Sequence, residues 1–332
     1  MNHEVVYGFQ SEEEARFPVI VQIALMHYIC NSRCKRCPVG LYNRKEIGTD
    51  RKGEFDPERQ RFFPFELFCK VADEMAGYPW SILRLHGRGE PLLHPDYVKM
   101  IEYAKKAGVK IVTSFTNATL LTKEKAKEIL DAGLDVIELS IDAFSEHLYR
   151  EFRGTDLFHE VVSNAENLIS ERNKRKAKTR VIVSAVDCPE IESEKEDFYR
   201  FWSERADKVI FRPYHTYGGR LPPLKPITSS EEKVPCAQLW TRFSINPYGQ
   251  VNACFNDWAD VEVIGDLNEE GATISQIWRN ERFEAIREAS LRGQSILKCC
   301  NTCLATKSGW LYSYQLLVQK LFAAEQNWRW VR

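Results

Sequence analysis

The chain has 332 residues, a formal net charge of −1 at pH 7, and 44% hydrophobic and 28% charged residues. These values are ordinary for a globular protein of one large or two moderate domains, and they give no overall field favouring nucleic acid or an anionic membrane. The longest apolar run, residues 17–26, is too short to span a bilayer. The acidic N-terminal segment lacks signal-peptide features, so we expect a cytoplasmic protein.

Short apolar runs alternate with longer amphipathic segments between about residues 17 and 215. Six of these runs predict buried parallel strands, at 19–26, 82–87, 109–117, 135–142, 180–186 and 208–214. Helical patterns lie between them, for example at 64–77, 97–108 and 122–133, and glycine follows them in the position that usually closes a helix. The alternation predicts an α/β fold, specifically a partial (β/α)6 barrel of the TIM type, with chemistry at the carboxyl ends of its strands.

Within the barrel part of the chain, a long charged connection at 38–63 indicates a lid or a docking surface.

The segments after the barrel predict a second, smaller unit of the α+β class. Residues 242–255 predict a β-hairpin and 274–293 a helix. We expect the following division: barrel 1–217, linker 218–235, smaller unit 236–310 and C-terminal helix 311–332.

The ten cysteines are unevenly placed along the chain. They form one group at 30, 34 and 37 and another at 236, 254, 299, 300 and 303, while Cys69 and Cys188 stand alone. A disulfide framework is not expected in a reducing compartment. The clustering therefore indicates two metal or metal–sulfur sites, one near each end of the chain.

The first group lies in the stretch CNSRCKRCP, directly after the first predicted strand. Three thiolates can hold three irons of a cubane cluster and leave the fourth iron open, whereas a tetrahedral zinc site needs a fourth ligand. The spacing of Cys30, Cys34 and Cys37 resembles the radical S-adenosylmethionine (SAM) superfamily. That resemblance implies a SAM-binding 4Fe–4S cluster and cleavage of SAM to a 5′-deoxyadenosyl radical, which abstracts hydrogen from substrate. Zinc or free thiols are the alternatives.

Four further stretches resemble the superfamily in its own order: GRGEP at 87–91, FTNAT at 115–119, ELSIDA at 138–143 and REFRG at 150–154. Two positions depart from its pattern, because Arg36 stands where an aromatic residue is usual and Ala118 where glycine is usual. The alternatives are a simple turn for the glycine-rich stretch and a helix cap for Arg153. The resemblance implies these SAM contacts: Gly87, Gly89, Glu90, Pro91, Asn117, Ser140, Asp142 and Arg153.

The second group resembles the twitch domain, a shortened SPASM domain. The resemblance implies that Cys236, Cys254, Cys300 and Cys303 ligate all four irons of an auxiliary 4Fe–4S cluster; a zinc site is the alternative. Cys299 is then surplus and could be another ligand, a buried thiol or a hydrogen donor. Cys69 is expected to pack in a helix core.

Cys188 follows the fifth predicted strand, at the barrel mouth. A thiol there could deliver hydrogen to a substrate radical, or could be an ordinary loop thiol. The stretch at 211–220 supplies polar groups that could bind a polyol or take a proton: Arg212, Tyr214, His215, Tyr217 and Arg220.

The placement of Arg220 and the spacing of the second cysteine group resemble the radical SAM aminocyclitol dehydrogenases of butirosin biosynthesis. This implies oxidation of a secondary alcohol of a carbohydrate- or aminocyclitol-type substrate in antibiotic biosynthesis, with the auxiliary cluster accepting an electron and Arg220 or His215 the proton. The alternatives are an epimerase that uses Cys188 or Cys299 as hydrogen donor, a peptide-modifying SPASM-type maturase, and a non-enzymatic metal scaffold. A non-enzymatic scaffold would not require the stretches GRGEP and SIDA, which favours an enzyme.

The expected partners are a small-molecule substrate and an acidic electron donor of the flavodoxin or ferredoxin type, with no nucleic acid and no membrane. Basic residues around the first cysteine loop could steer such a donor, or could simply be solvated. These residues are Arg33, Lys35, Arg36, Arg44 and Lys45.

Overall fold

The computed structural model describes residues 8–46, 61–224, 235–258, 260–294, 297 and 299–300. The chain divides into two compact units, one formed by Ile23–Tyr214 and the other by Met1–Gln22 together with His215–Arg332. Within the described ranges, no helix is long and apolar enough to cross a membrane.

The larger unit is built on parallel strands. Its strands are β1 (Ile20–Ile29), β2 (Ile82–Gly89), β3 (Ile111–Thr116), β4 (Val136–Ser140), β5 (Arg180–Asp187) and β6 (Lys208–Pro213), of which β1 begins within the smaller unit. They neighbour one another in sequence order, and every pair from β2 to β6 is parallel. All six predicted strands are present, and the edge at β6 is open. The prediction of a partial barrel-type α/β fold is therefore confirmed.

Helices connect these strands. They are α2 (Pro38–Asn43), α3 (Phe65–Ala76), α4 (Tyr97–Ala107), α5 (Lys123–Asp131), α6 (Glu146–Arg153), α7 (Phe158–Arg175) and α8 (Lys195–Ser203). The three helices predicted from periodicity correspond to α3, α4 and α5. Part of the charged connection forms α2, whereas residues 47–60, where a lid or docking surface was expected, lie outside the described residues.

Helix α4 shows why these segments are helical. Its residues Tyr97, Met100, Ile101 and Ala104 recur at the spacing of one helical face, and all four are buried. The helix ends at Gly108, whose φ of 110° is in the left-handed region that favours glycine. The buried apolar face stabilises the helix, and the glycine determines where it ends.

The glycines of GRGEP have a structural role in addition to the SAM contacts that the family resemblance implies. A Cβ on Gly87 would lie 2.4 Å from the Ala24 Cα, and a Cβ on Gly89 would lie 2.1 Å from the Ile29 carbonyl oxygen. Gly87 also has φ of 146°. The two glycines therefore allow the end of β2 to approach β1 closely, beside the cysteine loop.

The smaller unit contains an antiparallel sheet. The predicted hairpin is confirmed as β7 (Arg242–Ile245) and β8 (Gln250–Asn252), and a third strand, β9 (Val263–Asp266), pairs with β8. The start of β1 adjoins β7, since the Ile20 amide donates to the Thr241 carbonyl at 2.9 Å. The helices of this unit are α1 (Glu12–Arg16), α9 (Ile274–Trp278) and α10 (Glu281–Leu291).

The prediction of one helix over 274–293 is wrong, because Asn280 breaks it. The Asn280 side chain accepts from the Phe283 amide at 2.8 Å, which caps α10, and donates to the Ile264 carbonyl on β9 at 2.8 Å. A sheet contact thus sets the break. The predicted C-terminal helix at 311–332 lies outside the described residues.

Trp278 is the centre of the smaller unit's core. It is fully buried, and its indole N–H donates to the Glu14 carbonyl at 2.9 Å. The Phe9 ring contacts it edge-on at 5.8 Å. The Arg287 guanidinium lies 4.3 Å from its ring centroid, and burial lowers the pKa of Arg287 to about 10. These contacts explain why residues near the N-terminus belong to this unit.

We predict that Gly87→Ala lowers the free energy of unfolding by about 2–4 kcal/mol, because the added Cβ meets backbone atoms and the φ is strained. Chemical denaturation monitored by circular dichroism measures the change. Gly77→Ala is the matched control, since its φ is −74° and the nearest atom to an added Cβ is 3.5 Å away. Equal stability of the two variants would contradict the proposed close approach of β1 and β2.

Candidate functional site

The three-cysteine loop connects β1 to α2. Cys34 is buried, while Cys30 and Cys37 are half-buried. Cys37 is the residue before the helix, and Pro38 begins the first turn, where its missing N–H costs nothing. A Cβ on Gly40 would lie 2.1 Å from the Cys34 carbonyl oxygen, so only glycine lets the loop fold back onto α2.

The thiols of this loop are in an environment suited to a cationic cluster. Burial raises the pKa of both Cys30 and Cys37, and the neighbouring Cys34 raises each further. Ionising these thiols together therefore needs compensating positive charge, which iron supplies. In the described part of the chain, no three His, Cys, Asp or Glu side chains surround a single point closely enough to hold one metal ion. Three cysteines that each bind a different iron of one cluster need not surround a single point.

Arg153 joins this loop to the end of β4. Its Nη1 lies 3.3 Å from the Cys34 Sγ, and its Nη2 pairs with the Asp142 Oδ2 at 2.7 Å and donates to the Ser140 carbonyl. Its side chain is only 8% exposed, so the ion pair is shielded from solvent. The predicted contact between Arg153 and SAM stays a prediction; the contacts present are with the chain's own groups.

The backbone at the end of α6 is docked on the same loop. The amides of Arg33 and Lys35 donate to the carbonyls of Arg153 and Phe152 at 3.0 and 2.8 Å. Gly154, with φ of 69°, ends the helix, and a Cβ there would lie 2.7 Å from the Arg33 carbonyl oxygen. The stretch REFRG therefore positions the cysteine loop through both backbone and side chain.

Asn117, at the end of β3, holds the loop from the other side. Its amide nitrogen donates to the Asn31 Oδ1 and the Ser32 Oγ, both at 2.9 Å. Its Oδ1 accepts from the Thr119 hydroxyl at 2.7 Å, and the Asn31 amide donates to that hydroxyl at 2.8 Å. This closed network fixes the residues between Cys30 and Cys34, and it contains two groups, Asn31 and Ser32, that the sequence did not single out.

Ala118 occupies a position where the superfamily pattern has glycine. Its φ is 61°, so the backbone keeps the left-handed turn without glycine, at some cost in strain. The Ala118 amide donates to the Thr116 hydroxyl at 3.0 Å, and its carbonyl accepts from the Asn164 amide at 2.9 Å. These bonds keep the turn after β3 in its strained form.

Glu90 links the end of β2 to the end of β3. The carboxylate is buried and accepts from the Thr116 hydroxyl at 2.7 Å, the Asn117 amide at 2.8 Å and the Leu92 amide at 3.1 Å. Burial raises the pKa of Glu90, while these hydrogen bonds act in the opposite direction. Pro91 begins the short turn that follows. The GEP part of the motif thus fastens two strand ends together.

Arg36 lies among polar groups at the end of β5 and β6. It forms an ion pair with Glu190 and stacks on the Tyr214 ring at 5.3 Å. Cys188, which is buried, contacts the same carboxylate; burial and that hydrogen bond raise the pKa of Cys188 to about 12. Cys188 therefore stays a neutral thiol at ordinary pH. Lys35 also pairs with carboxylates, Glu151 at 2.9 Å among them.

Ser140 lies beneath this region, at the end of β4. Its hydroxyl accepts from the Arg212 Nη2 at 2.6 Å, and Arg212 Nε pairs with the Glu138 Oε1 at 3.2 Å. Arg212 and Ser140 were predicted site residues, whereas Glu138 was not. The available signal was the period-2 alternation of polar residues within the fourth predicted strand.

The second cysteine group lies in the smaller unit. Cys236, Cys254 and Cys300 are half-buried there, and Cys303 lies outside the described residues. Cys299, predicted to be surplus, is buried and hydrogen-bonded to both Cys254 and Cys300, which together with burial raises its pKa. Cys299 thus adjoins the predicted ligands, and its role as ligand, thiol or hydrogen donor stays a prediction.

The predicted proton acceptors belong to the smaller unit. The His215 and Tyr217 rings lie 6.4 Å apart, and the Arg220 Nη1 donates to the Tyr217 carbonyl at 3.2 Å. Tyr217 packs edge-on against Trp258 at 5.2 Å. Tyr217 thus contacts both candidates, and their part in proton transfer stays a prediction.

Comparison with known proteins gives two family matches. Residues 25–197 match the radical SAM superfamily, and residues 236–304 match SPASM, an iron–sulfur cluster-binding domain. Among curated relatives, a tungsten-containing aldehyde ferredoxin oxidoreductase cofactor-modifying protein of Pyrococcus furiosus is 33% identical over 34% of this chain and 28% of its own length. A probable GTP 3′,8-cyclase of Sulfolobus acidocaldarius is 36% identical over 48% of this chain and 44% of its own length. The matched regions thus span less than half of these relatives.

Solved structures resemble the chain over most of its length. BtrN in complex with AdoMet and 2-DOIA has a TM-score of 0.54 at 16% identity, covering 86% of this chain and 92% of BtrN. SuiB of Streptococcus suis, bound to the precursor peptide SuiA, has a TM-score of 0.64 at 13% identity, covering 88% of this chain and 71% of SuiB. At such identities the likeness shows the fold.

The family matches confirm the predicted cofactors, SAM and two 4Fe–4S clusters. The superfamily match alone spans more than half of the chain, and it includes all three cysteines of the first loop and the four stretches that follow it. The protein belongs to the radical SAM superfamily and carries a SPASM iron–sulfur domain.

Proposed function

We propose that this radical SAM enzyme oxidises a secondary alcohol of a carbohydrate- or aminocyclitol-type substrate in natural-product biosynthesis. The observation that carries the proposal is the likeness to BtrN, the butirosin radical SAM dehydrogenase, which covers 86% of this chain and 92% of BtrN. A second cysteine group in the smaller unit supports it, because an oxidation needs an acceptor for a further electron.

When bound, SAM and the two clusters supply hydrogen-atom abstraction and electron transfer. The residues of the chain have the remaining tasks. Cys30, Cys34 and Cys37 hold the first cluster, and Arg153 fixes the position of Cys34. The contacts to SAM are assigned to Gly87, Gly89, Glu90, Pro91, Asn117, Ser140, Asp142 and Arg153, and the auxiliary ligands to Cys236, Cys254, Cys300 and Cys303.

Oxidation of an alcohol to a ketone removes a hydrogen atom from carbon, a proton from the hydroxyl group and one electron. His215 is half-buried, and histidine is the side chain that most often acts as a general base, which suits a proton acceptor. Arg220 is the alternative group at this position. The auxiliary cluster, when bound, would supply the acceptor for that electron.

Epimerisation is the second candidate reaction, and the state of Cys188 favours it. A hydrogen-atom donor must carry its S–H bond, and the raised pKa of Cys188, about 12, preserves that bond. Cys299 is buried beside Cys254 and Cys300 and is the alternative donor. Either thiol would return hydrogen to a substrate radical instead of letting it lose an electron.

A flavodoxin- or ferredoxin-type protein is the proposed electron donor. Of the basic residues around the loop, Lys35 and Arg36 pair with Glu151 and Glu190, and Arg44 with Glu46. Within the described ranges, Arg33 and Lys45 have no acidic partner and are therefore the better candidates for steering an acidic donor.

Product mass distinguishes the two reactions. With a panel of aminoglycosides and short peptides in heavy water, we expect a product two mass units lighter than its substrate, formed at undiminished rate by Cys188→Ala and Cys299→Ala. Liquid chromatography with mass spectrometry measures both. A product that gains one mass unit from solvent deuterium, and whose formation either cysteine variant abolishes, would establish epimerisation and remove the dehydrogenase proposal.

We predict that removing Arg153 selectively unseats the first cluster. Because Arg153→Met alone leaves Asp142 buried and unpaired, the test uses Arg153→Met/Asp142→Asn, which removes both charges. Iron per chain in the reconstituted protein should fall from about eight towards about four, with loss of the spectroscopic change on SAM addition. Arg150→Met, on the same helix with a side chain 55% exposed, is the control and should keep its iron. If the double variant kept its full iron content, the proposal that Arg153 holds Cys34 in place would be contradicted.

A further inference from the structure

In the carboxyl-terminal half of the parallel sheet, one largely buried side carries polar and charged residues. Strand register shows which residues lie on this side of the sheet. Phe115 neighbours Glu138, and Ser140 neighbours Ser184. Val186, two residues after Ser184, neighbours Arg212. Because side chains alternate along a strand, these residues share one side of the sheet, and Arg84 on β2 joins them through Thr113. We call Arg84, Phe115, Glu138, Ser140, Ser184 and Arg212 the polar face.

The opposite side of the same strands is an ordinary apolar core. Leu83, Val112, Ile137 and Val183 alternate with the polar face, and each is 0% exposed. A parallel sheet is usually apolar on both buried sides, so the polar side is the exception. Polar and charged groups of this kind carry a desolvation cost, which a binding role explains.

The charged groups of the polar face surround one aromatic ring. The guanidinium carbons of Arg84 and Arg212 lie 4.4 and 5.2 Å from the centroid of the Phe115 ring. Glu138, which is 0% exposed, pairs with Arg212 and also interacts electrostatically with Arg84. One carboxylate is thus shared between two guanidinium groups and does not fully neutralise Arg212.

Arg212 is held in place but retains a free edge. Its Nε pairs with Glu138 and its Nη2 donates to Ser140, and these are its polar partners among the residues that the structure describes. Its side chain is 17% exposed, in contrast to the fully enclosed Glu138. The Nη1 edge is therefore positioned for a ligand, and a guanidinium fixed on two sides loses little entropy when it binds one.

We propose that the polar face binds the substrate and that Arg212 binds a carboxylate or phosphate oxygen on it. Building on the proposed oxidation of an alcohol, this narrows the carbohydrate- or aminocyclitol-type substrate to one that also carries an anionic group. Glu138 is a positioning residue, because it acts on the ligand through Arg212. The hydroxyl of Ser184, which neighbours Ser140 on the same side of the sheet, adds a neutral hydrogen-bonding group for the remainder of the molecule.

Binding by the reconstituted, SAM-loaded enzyme tests the proposal with three probes: D-glucose 6-phosphate, D-gluconate and uncharged D-glucose. Isothermal titration calorimetry should show at least one anionic probe binding at least about tenfold tighter than glucose, the ratio expected for a hydrogen bond to a charged group. Tighter binding of the phosphate or of the carboxylate identifies which anion the site takes. Equal affinity for all three, or no binding of either anion, overturns the proposal.

Substitution then assigns the preference to Arg212. Arg212→Met should bring the anionic probe and glucose to nearly equal affinity, and Arg212→Lys should restore part of the difference while guarding against a folding defect. Arg200→Met, with a side chain 70% exposed, is the matched control and should bind as the unsubstituted enzyme does. An anion preference that survives Arg212→Met removes the assignment. Product mass tests the reaction separately, since an epimerase could show the same charge preference.

Discussion

The contact between Arg153 and Cys34 is the interaction on which the first cysteine loop depends. The guanidinium joins a predicted cluster ligand, the Asp142 carboxylate and the end of β4 in one buried set. Because the groups are shielded from water, their mutual attraction is strong, and losing any one of them leaves another unpaired. The loop is therefore held by charge as well as by backbone shape, and Gly154 lets the helix end come close enough for both.

The amide network of Asn117 and the carboxylate of Glu90 hold the opposite side. Each buried polar atom described in that network has a partner, so the strand ends can meet without the penalty of an unsatisfied group. This rigidity also accounts for Ala118, whose positive φ would otherwise be costly. Two independent supports thus fix the loop before any cofactor is considered.

The sequence predicted the strands, the principal helices and the cysteine groups because each has a short-range signal: an apolar run, a helical stripe or a fixed spacing. It could not predict the break at Asn280, which depends on a hydrogen bond to β9. Glu138 was missed for a different reason. It shares the period-2 polar pattern of its strand with Ser140, but only strand register shows that it lies on the same side of the sheet as Arg212.

The residues proposed to hold the cofactors and those proposed to contact the substrate meet at Ser140, whose hydroxyl accepts from Arg212. Family membership follows from the first set, whose spacing along the chain is recognisable, whereas Arg84 belongs to none of the matched stretches. A similar division applies to the outcome of the reaction. Whether a substrate radical loses an electron or gains hydrogen depends on which thiol or base it meets, and Cys188 is kept protonated by burial and by Glu190. Under the two proposals, substrate charge and reaction outcome are consequently separate properties of this site, and each depends on a few buried side chains.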